Sequence, residues 1–348
     1  MASAELTIKK VWSGGEFYER HRIPGIIVTS KSTVIIYNEA RQPGGEHGSD
    51  WALMDIFMQR STDCGKTFGE RIYLARGDAE HPTVNNPVMM EDRNGRLHLL
   101  YCRDYTIRGG GAWHRYSDDD GLTWSEPTDV TYATQPELHN AFAFGPGHGI
   151  CTKNGRLLVP IWMVLKTEQV PEYQHHPSVI HTFYSDDCGQ TWQLGDRIVT
   201  DQAVPNPNET VAAQLPDGRI MLNIRSNIER RSKAYSPSGV GEWTTPVPDE
   251  ALPDPHCFGS MIGYKNLAGQ FALLQVNCAH ESARKNIVLK GSLDLGETWI
   301  ICRTIDAERG GYSDLAADEE NGLIYVLYEE KAGKDVYLAR MTPDWLLN

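Results

Sequence analysis

The chain of 348 residues has none of the long apolar segments that helical membrane proteins need. No run approaches the roughly 18 apolar residues of a membrane span. The first ten residues, MASAELTIKK, lack the apolar stretch of a secretory signal peptide. We therefore expect a soluble protein without a membrane span, either cytoplasmic or secreted with its signal removed.

Positive charge is also scarce in this sequence. Lys and Arg number 33 against 46 Asp and Glu, so the formal net charge is −13. Nucleic-acid-binding proteins usually present a basic face, and adhesion to anionic membranes needs clustered cations. The composition thus argues against both kinds of partner.

Paired cysteines of the metal-binding type are missing. The seven cysteines are odd in number and form no C-x-x-C pair, which predicts mostly free thiols and no zinc-ribbon site. The pair His175-His176, with His181, completes no ligand set, and we interpret the pair as part of a surface loop. The sequence therefore predicts neither a metal nor another cofactor.

One eight-residue pattern occurs repeatedly. Four segments share Ser-x-Asp-x-Gly-x-Thr followed by Trp or Phe: STDCGKTF (61–68), SDDDGLTW (117–124), SDDCGQTW (185–192) and SLDLGETW (292–299). A fifth, SPSGVGEW (236–243), keeps the Ser-to-Trp spacing but has lost the Asp. The starts are 56, 68, 51 and 56 residues apart. A period of this size is typical of propeller blades or a solenoid.

Turn dipeptides alternate with these boxes. They are Asn94-Gly95, Asn154-Gly155, Asp217-Gly218, Ala268-Gly269 and Asn321-Gly322. Asn-Gly and Asp-Gly suit type I′ hairpins, in which both central residues have positive φ. An apolar run such as RLHLLYC or LIYVLYE follows each dipeptide, and another short run precedes it. Every unit therefore predicts strand, tight turn, strand, longer loop, strand, Ser/Asp box, strand.

Six such units account for the chain once a first unit around GIIVTSKSTVIIYNE is added. Division of 348 residues by six leaves 58 per unit. No long amphipathic helix pattern and no low-complexity linker interrupts them. The prediction is an all-β fold, a six-bladed β-propeller of four-stranded antiparallel blades, with residues 1–348 as one catalytic domain.

We predict a structural role for the boxes. Ser and Asp oxygens accept bonds from nearby backbone N–H groups, Gly supplies an unusual backbone angle, and the aromatic residue anchors the turn. The boxes lack the dense oxygen ligands that calcium prefers, which disfavours a calcium site.

The alternation of strands sorts the loops between the two faces of the propeller. One mouth, opposite the boxes, receives residues just before the first strand of a blade, at the end of the second, or between the second and third. These positions hold Arg22, Asn86, His148, Glu209, Phe258, Tyr312, Arg41, Trp162, Arg225, Asp50, Trp113 and Arg284. Four arginines, two carboxylates and a tyrosine are thus predicted to converge.

Several of these residues stand in recognisable motifs. Arg22 begins RIP, Glu209 and Arg225 lie in NET…LNIR, and Tyr312 lies in GYSDL; GPGHGI…NGRLLVP spans 145–160. Arg284 stands eight residues before its box and Asp50 eleven before the first. Spread over residues 20 to 330, this set resembles the sialidase (neuraminidase) family of Asp-box propellers.

The resemblance implies that Arg22, Arg225 and Arg284 grip the carboxylate of a sialic acid. The planar guanidinium fork matches a carboxylate in a way that Lys does not. Any one of these arginines alone would more often be a surface or salt-bridged residue. Three clustered arginines repel one another unless an anion joins them, so their convergence favours an anionic ligand.

The resemblance also implies the catalytic roles. Tyr312 would be the nucleophile, because a carboxylate would be repelled by the substrate's own carboxylate, and sialidases are the tyrosine exception among glycosidases. Free tyrosine has a pKa of about 10, so Glu209 would act as its base. Asp50, in the Gly-rich stretch PGGEHGSD, would be the general acid on a mobile loop. Asp55 is its rival, less suited because it falls inside a strand.

Four further residues are expected to bind the sugar. Arg41 and Asn86 match family positions that line the sugar pocket. Trp162 and Trp113 would pack on the acetamido or glycerol arm, although aromatic residues near a propeller mouth often only pack.

Together these patterns predict an exo-acting, retaining sialidase that removes terminal α-linked sialic acid from glycans and glycoconjugates. Three alternatives stay open: a hydrolase of the same fold for a related ulosonic acid (deaminated sialic acid, or a shorter, Kdo-like acid), a trans-sialidase, and a non-catalytic sialic-acid-binding propeller lectin. A lectin would need the arginines but not Asp50, Glu209 and Tyr312 together.

Overall fold

The computed structural model describes residues 4–44, 49–106, 109–166, 175–267, 269–330 and 333–347. Strands dominate this part of the chain. Helical structure is confined to 3-10 turns at Ser49–Trp51 and Thr131–Thr134 and a short helix α1 at Pro343–Leu347. Within the described ranges, no helix is long and apolar enough to cross a membrane. The stretch PGGEHGSD lies partly outside these ranges, at residues 45–48.

The strands form six antiparallel sheets, which are the six blades of a β-propeller. The chain begins with β1 (Leu6–Ser13). The first blade contains β2 (Arg20–Val28), β3 (Val34–Arg41), β4 (Met54–Ser61) and β5 (Ile72–Arg76). The second contains β6 (Val84–Glu91), β7 (Leu97–Thr106), β8 (Gly109–Ser117) and β9 (Thr128–Asp129). The third contains β10 (His139–Phe144), β13 (Leu157–Leu165), β14 (Ser178–Ser185) and β15 (Gln193–Leu194). Between β10 and β13 along the chain come β11 (Gly147–His148), which pairs with β6, and β12 (Ile150–Cys151), which pairs with β13.

The other three blades follow the same order. The fourth contains β16 (Thr210–Gln214), β17 (Ile220–Ile224), β18 (Arg230–Ser236) and β19 (Val247–Pro253). The fifth contains β20 (Ser260–Leu267), β21 (Gln270–Cys278), β22 (Ile287–Ser292) and β23 (Ile301–Asp306). The sixth contains β24 (Ser313–Asp318), β25 (Leu323–Glu329) and β26 (Asp335–Met341). The predicted fold class is confirmed.

The sixth blade takes its outermost strand from the other end of the chain. β1 pairs antiparallel with β26, from Leu6 opposite Met341 to Ser13 opposite Asp335. The first and last strands therefore close the ring through hydrogen bonds and side-chain packing.

The Ser/Asp boxes connect the third strand of a blade to the fourth. In the box at 292–299, Ser292 Oγ donates to Asp294 Oδ1 (2.8 Å) and accepts from the Gly296 N–H (2.8 Å). The Thr298 N–H and hydroxyl both donate to the Asp294 carboxylate (2.8 and 2.6 Å). The other three complete boxes repeat these bonds. Each carboxylate is thus used within its own turn, as a structural role requires.

The Gly hairpins differ from the type I′ turns expected from the sequence. At the second blade only Gly95 has positive φ (83°), and Asn94 does not. Gly95 N donates to Asp92 O, and Asp92 N donates to Arg96 O, which defines a three-residue loop. A type I turn followed by a left-handed glycine closes such a loop. Residues 154–155 and 217–218 show the same arrangement. Ala268 lies outside the described residues.

The segment GPGHGI takes a path that the repeat pattern did not predict. The innermost strand of the third blade is β10, and the following residues cross to the second blade, where β11 pairs parallel with β6. His148 is therefore buried in the centre of the ring and not at the mouth, with Nδ1 2.8 Å from Asp314 Oδ1. Phe258 is also buried and packs against the Tyr312 ring, 5.9 Å between centroids.

Candidate active site

A polar pocket of about 330 Å³ opens at the mouth where the innermost strands begin. All six blades meet there, so loops distant in sequence contribute to one concave surface. Its lining consists of Arg22, Ile23, Arg41, Asp50, Asn85, Asn86, Trp162, His175, Asn208, Glu209, Arg225, Arg284 and Tyr312. Ten residues were predicted from the sequence to act in catalysis or to bind the sugar. Nine of them line this pocket, and Trp113 is the exception.

The Tyr312 hydroxyl lies at the centre of a short hydrogen-bond network. It donates to Glu209 Oε1 at 2.5 Å and accepts from Arg225 Nη1 at 2.8 Å. Arg225 also forms an ion pair with Glu209 Oε2. Tyr312 and Glu209 are 6% and 7% exposed. The phenol therefore faces a base on one side and a fixed cation on the other.

Two further arginines flank the ring of Tyr312. The guanidinium carbons of Arg22 and Arg284 lie 5.1 and 5.3 Å from the ring centroid. Arg22 Nε donates to Glu329 Oε1 at 2.9 Å, which fixes its direction. Arg284 donates to the His256 carbonyl at 3.1 Å and has no ion pair within the described part of the chain. An uncompensated cation next to two others favours an anionic ligand.

Burial raises the pKa of the Tyr312 phenol above its ordinary value, and the Glu209 charge raises it further. The positive charges of Arg225, Arg284 and Arg22 act in the opposite direction. The phenol is therefore protonated in the free protein, in agreement with its role as donor to Glu209.

A second charged group forms the opposite side of the pocket. Arg41 forms an ion pair with Asp50, which stands in the turn at Ser49–Trp51. The buried Glu39 carboxylate accepts from Arg41 Nε at 2.9 Å and from the Asn86 N–H at 2.5 Å. Glu39 thereby holds two lining residues from neighbouring blades.

Asp50 is ionised in the free protein. Burial on its own would raise the pKa of the Asp50 carboxyl, but Arg41 and Arg22 outweigh it, so the pKa is lowered. Its rival Asp55 lies in β4 and accepts from the Tyr18 hydroxyl at 2.5 Å, outside the pocket lining. Of these two aspartates, Asp50 is therefore the one that could face a ligand.

Two lining segments have left-handed backbone. Ile23 and Asn86 have φ of 53° and 49°. A β-branched residue such as Ile23 rarely adopts this region, whereas Asn does so more readily. Each stands at a β-bulge of an innermost strand, in β2 and in β6. Ile23 is held by its N–H bond to Glu329 Oε1 at 2.7 Å. Such bulges re-aim side chains next to binding sites.

Comparison with known proteins agrees with the fold. A model of the BNR repeat-like domain matches residues 53–326. A curated relative, "Sialidase-2" of Cricetulus griseus, is 34% identical over 74% of this chain and 72% of its own length. The chain belongs to the sialidase family.

Other relatives extend beyond the region they share with this chain. "Sialidase" of Bacteroides fragilis is 27% identical over 91% of this chain but only 61% of its own length. "Sialidase" of Micromonospora viridifaciens is 27% identical over 96% of this chain and 53% of its own length. The chain thus spans little more than half of these sialidases.

Solved structures share the fold. A Hadza microbial sialidase superposes with a TM-score of 0.81 at 24% identity, covering 94% of this chain and 66% of the other. The intramolecular trans-sialidase of Ruminococcus gnavus superposes with a TM-score of 0.77 at 19% identity, covering 96% of this chain and 98% of its own.

Two further sequence-based expectations for this sialidase-family chain were wrong in position. Trp113 lies inside β8, where it pairs with Asp129 and packs against buried side chains of the first and second blades. Its strand carries it away from the mouth, because β8 extends further than the pattern suggested. His175, expected in a surface loop, instead lines the pocket and contacts Trp162, 5.3 Å between ring centroids.

Sequence reasoning missed Glu329 and Glu39. Glu329 is 1% exposed and binds Arg22, the Ile23 N–H and the Tyr312 N–H. Both glutamates lie at or near the end of a second strand, the position that pointed to Arg41 and Arg225. The same rule applied to β25 and β3 would have found them. Among the described residues, no group of three or more His, Cys, Asp or Glu side chains could hold a metal ion.

Proposed function

We propose that this chain is an exo-α-sialidase that hydrolyses terminal sialic acids with retention of configuration, using Tyr312 as nucleophile. The bond from the Tyr312 hydroxyl to Glu209, within a cluster of three arginines, carries the proposal. Membership of the sialidase family supports a glycoside hydrolase. Sialylated glycans are the corresponding substrates.

The three arginines would bind the substrate carboxylate. Arg22 and Arg284 both lie close to the Tyr312 ring, and Arg225 donates to its hydroxyl. A carboxylate held among them places the attached anomeric carbon next to the Tyr312 oxygen. Charge-assisted, paired N–H bonds to a carboxylate favour this orientation.

The Tyr312–Glu209 pair would supply the nucleophile. As the phenol oxygen attacks the anomeric carbon, its proton passes to Glu209 Oε1, 2.5 Å away. Arg225 Nη1 stabilises the negative charge that develops on the oxygen. A neutral phenol avoids the repulsion that a carboxylate nucleophile would meet beside the substrate carboxylate.

Asp50 would protonate the departing sugar oxygen and later take a proton from water. In the free protein Arg41 and Arg22 lower the pKa of Asp50. A substrate carboxylate bound to Arg22 offsets one of these positive charges, which raises the pKa of Asp50 toward the value that a general acid needs. Binding of the substrate would thus favour the protonated form of Asp50, which is the form that donates the proton.

The aromatic side of the pocket would contact the uncharged arms of the sugar. Trp162 and His175 pack together there, and Trp51, next to Asp50, lies 6.3 Å from the His175 ring. An acetamido methyl group fits an apolar surface of this kind.

The test is hydrolysis of a fluorogenic α-ketoside of N-acetylneuraminic acid, with Tyr312→Phe as the variant and the deaminated analogue as a second substrate. We expect release from the acetamido substrate and a loss in Tyr312→Phe of at least about a thousandfold in kcat, because the attacking oxygen is gone. The glycan affinity of a lectin would instead survive this substitution.

Three results would revise the proposal. Release from the deaminated substrate alone would keep the mechanism and change the sugar. An anhydro sugar in place of free sialic acid would indicate intramolecular transfer, the reaction for which the Ruminococcus gnavus trans-sialidase is named. No release from either substrate, with glycan binding retained, would favour the lectin.

A further inference from the structure

A fully buried arginine in the fourth blade takes no part in the chemistry proposed above. Arg231, in β18, is 0% exposed and does not line the pocket. Its Nε donates to Asn223 Oδ1 at 2.7 Å, and its Nη2 donates to the Asn223 carbonyl at 3.1 Å. A buried cation is costly unless its charge and its N–H groups are satisfied. These two bonds to one residue fix the guanidinium in a single orientation.

The third nitrogen of Arg231 reaches the segment between β19 and β20. Nη1 donates to the Cys257 carbonyl at 2.9 Å and lies 3.7 Å from Asp254 Oδ2. The other oxygen of Asp254, which is 1% exposed, accepts from the Cys257 N–H at 2.9 Å. Asn277 Nδ2 donates to Asp254 Oδ2 at 3.3 Å. One buried ion pair therefore binds both polar groups of the Cys257 backbone.

The residues on either side of Cys257 contact side chains that line the pocket. The His256 carbonyl accepts from Arg284 Nη2 at 3.1 Å. Phe258 packs against the ring of Tyr312, 5.9 Å between centroids. His256 has a φ of 53°, in the left-handed region that side chains rarely adopt, and such a backbone persists only where its surroundings hold it. The contacts to Cys257 are therefore what directs this carbonyl toward the pocket.

Arg284 has few other restraints. Within the described part of the chain, the bond to the His256 carbonyl is the only hydrogen bond that its guanidinium makes. A guanidinium binds a carboxylate through paired N–H bonds, which depend on alignment. Displacement of the His256 carbonyl would therefore turn Arg284 away from a bound carboxylate.

We propose that Arg231 is a positioning residue for ligand binding: through Cys257 and the His256 carbonyl, it sets the orientation in which Arg284 binds the substrate carboxylate. This inference rests on the proposed function, because it takes a sialic acid as the ligand. Arg231 lies outside the pocket lining and acts through the segment 254–258.

The test is a double-mutant cycle of Arg231→Lys and Arg284→Ala. Lys keeps a positive charge beside Asp254 but cannot bridge Asn223 and Cys257 as the guanidinium fork does. The probe is the analogue of N-acetylneuraminic acid with a double bond at the anomeric carbon, which keeps the carboxylate and has no glycosidic bond. Calorimetric titration with this analogue measures affinity independently of hydrolysis.

We expect Arg231→Lys to weaken binding of the analogue about three- to tenfold, the usual effect of one lost hydrogen bond. In the Arg284→Ala background, the same substitution should weaken binding by less than about twofold, because the residue through which Arg231 acts is gone. A purely structural role of Arg231 would instead give equal losses in both backgrounds.

Arg115→Lys is the matched control. Arg115, in the second blade, donates to the Ser125 carbonyl at 2.6 Å and also to the Leu74 and Trp124 carbonyls. It does not line the pocket. Its substitution removes the same kind of bond between an arginine and the backbone, and it should leave the affinity for the analogue unchanged.

A second variant covers the case in which Arg231→Lys does not fold. Arg231→Met combined with Asp254→Asn removes both charges together, so no unpaired charge stays buried. It should show the same dependence on Arg284.

Equal losses with and without Arg284 would overturn the proposal, as would unchanged affinity in folded Arg231→Lys or an equal loss in Arg115→Lys. Binding of the analogue without release of sugar from the fluorogenic ketoside would overturn the proposed hydrolysis but not this inference, which the cycle then decides. Lack of binding to the unmodified protein would overturn it.

Discussion

Arg22 reaches the pocket across a backbone position that has no room for a side chain. A Cβ on Gly333 would lie 2.1 Å from Arg22 Cδ, and the Gly333 carbonyl accepts from the His21 N–H at 2.9 Å. With Glu329 holding its Nε, Arg22 is confined between a carboxylate and this glycine. The position of Arg22 in the pocket therefore depends on a residue that does not itself line the pocket.

We expect Gly333→Ala to raise KM for a sialoside about tenfold or more, because the new methyl group displaces Arg22. Gly322→Ala is the matched control. Its φ of 61° is close to the 64° of Gly333, but nothing lies within 4 Å of its Cβ. Because both substitutions place a Cβ on a left-handed residue, they introduce the same backbone strain. A difference in KM between the two variants, measured by steady-state kinetics, therefore reports the displacement of Arg22. Equal KM values for the two variants would contradict this account.

At the residue scale, the sequence motifs and the strand register together predicted nine of the residues that line the pocket. Trp113 was misplaced because the length of a strand, and not the pattern of its residues, decides how near to the mouth a side chain lies. His175 was missed because the sequence between β13 and β14 carries no periodic signal that gives the register. Glu329 could have been predicted from the sequence, since it is the last residue of the second strand of its blade, as Arg41 is.

Among the elements, the Ser/Asp boxes show how a local motif stabilises a blade. In the box at 292–299 the Asp294 carboxylate accepts from Thr298 and Ser292, and these bonds, Thr298 foremost, lower its pKa to about 2. In the fifth, degenerate turn Ser238 occupies the Asp position, and its hydroxyl accepts from the Val240 N–H at 3.4 Å. The degenerate turn therefore keeps the Ser-to-Trp spacing but has fewer bonds at the Asp position.

We expect Asp294→Ala to lower the free energy of unfolding by about 1–3 kcal/mol, since donors in the turn lose their acceptor. Ser238→Ala, at the equivalent position of the degenerate turn, should cost less than about 0.5 kcal/mol. Urea denaturation at pH 7 measures both. A loss in Ser238→Ala as large as in Asp294→Ala would show that the carboxylate bonds are not what stabilises the box.

At the scale of the whole molecule, closure of the ring depends on β1. Trp12, on this strand, is 3% exposed, donates from Nε1 to Gln59 at 2.6 Å and packs edge-on against Phe57, 5.5 Å between centroids. Gln59 and Phe57 belong to the first blade, whereas β1 belongs to the sixth. One side chain thus connects the two blades at the seam of the ring.

Trp12→Ala should destabilise the protein by about 3–5 kcal/mol, the usual cost of removing a large buried side chain. Ile8→Ala, on the same strand but with Ile8 38% exposed, should cost under about 1 kcal/mol. Thermal unfolding monitored by circular dichroism compares them. If the two substitutions lower the melting temperature equally, Trp12 has no special role at the seam.

Buried histidines predict a loss of stability in acid. His98 Nδ1 lies 3.0 Å from His114 Nε2, and burial, followed by the nearby His98 charge, lowers the pKa of His114 to about 3. Burial also lowers the pKa of His98. The unfolded chain takes up these protons near pH 6.5 but the folded chain does not, so stability falls as the pH drops from about 6.5 toward 3.

His114→Gln should therefore reduce the fall in melting temperature between pH 7 and pH 4, whereas His256→Gln, at an exposed position, should leave it unchanged. The carboxylates of the Ser/Asp boxes affect the pH dependence of stability only at lower pH. Asp119 and Asp294 have pKa values of about 2, so their stabilisation is lost as the pH falls below about 3.8. An unchanged pH profile in His114→Gln would exclude His114 as the cause.

The sequence by itself determined the number of blades, the box turns and most of the charged groups at the mouth, because short-range hydrogen bonds and strand alternation repeat in every blade. Tertiary structure alone decided the path of residues 145–151, the burial of His148 against Asp314 and the exclusion of Trp113 from the pocket. It also decided that Glu329 and Gly333 position Arg22. These features depend on contacts between blades far apart in sequence, and a periodic pattern carries no information about such contacts.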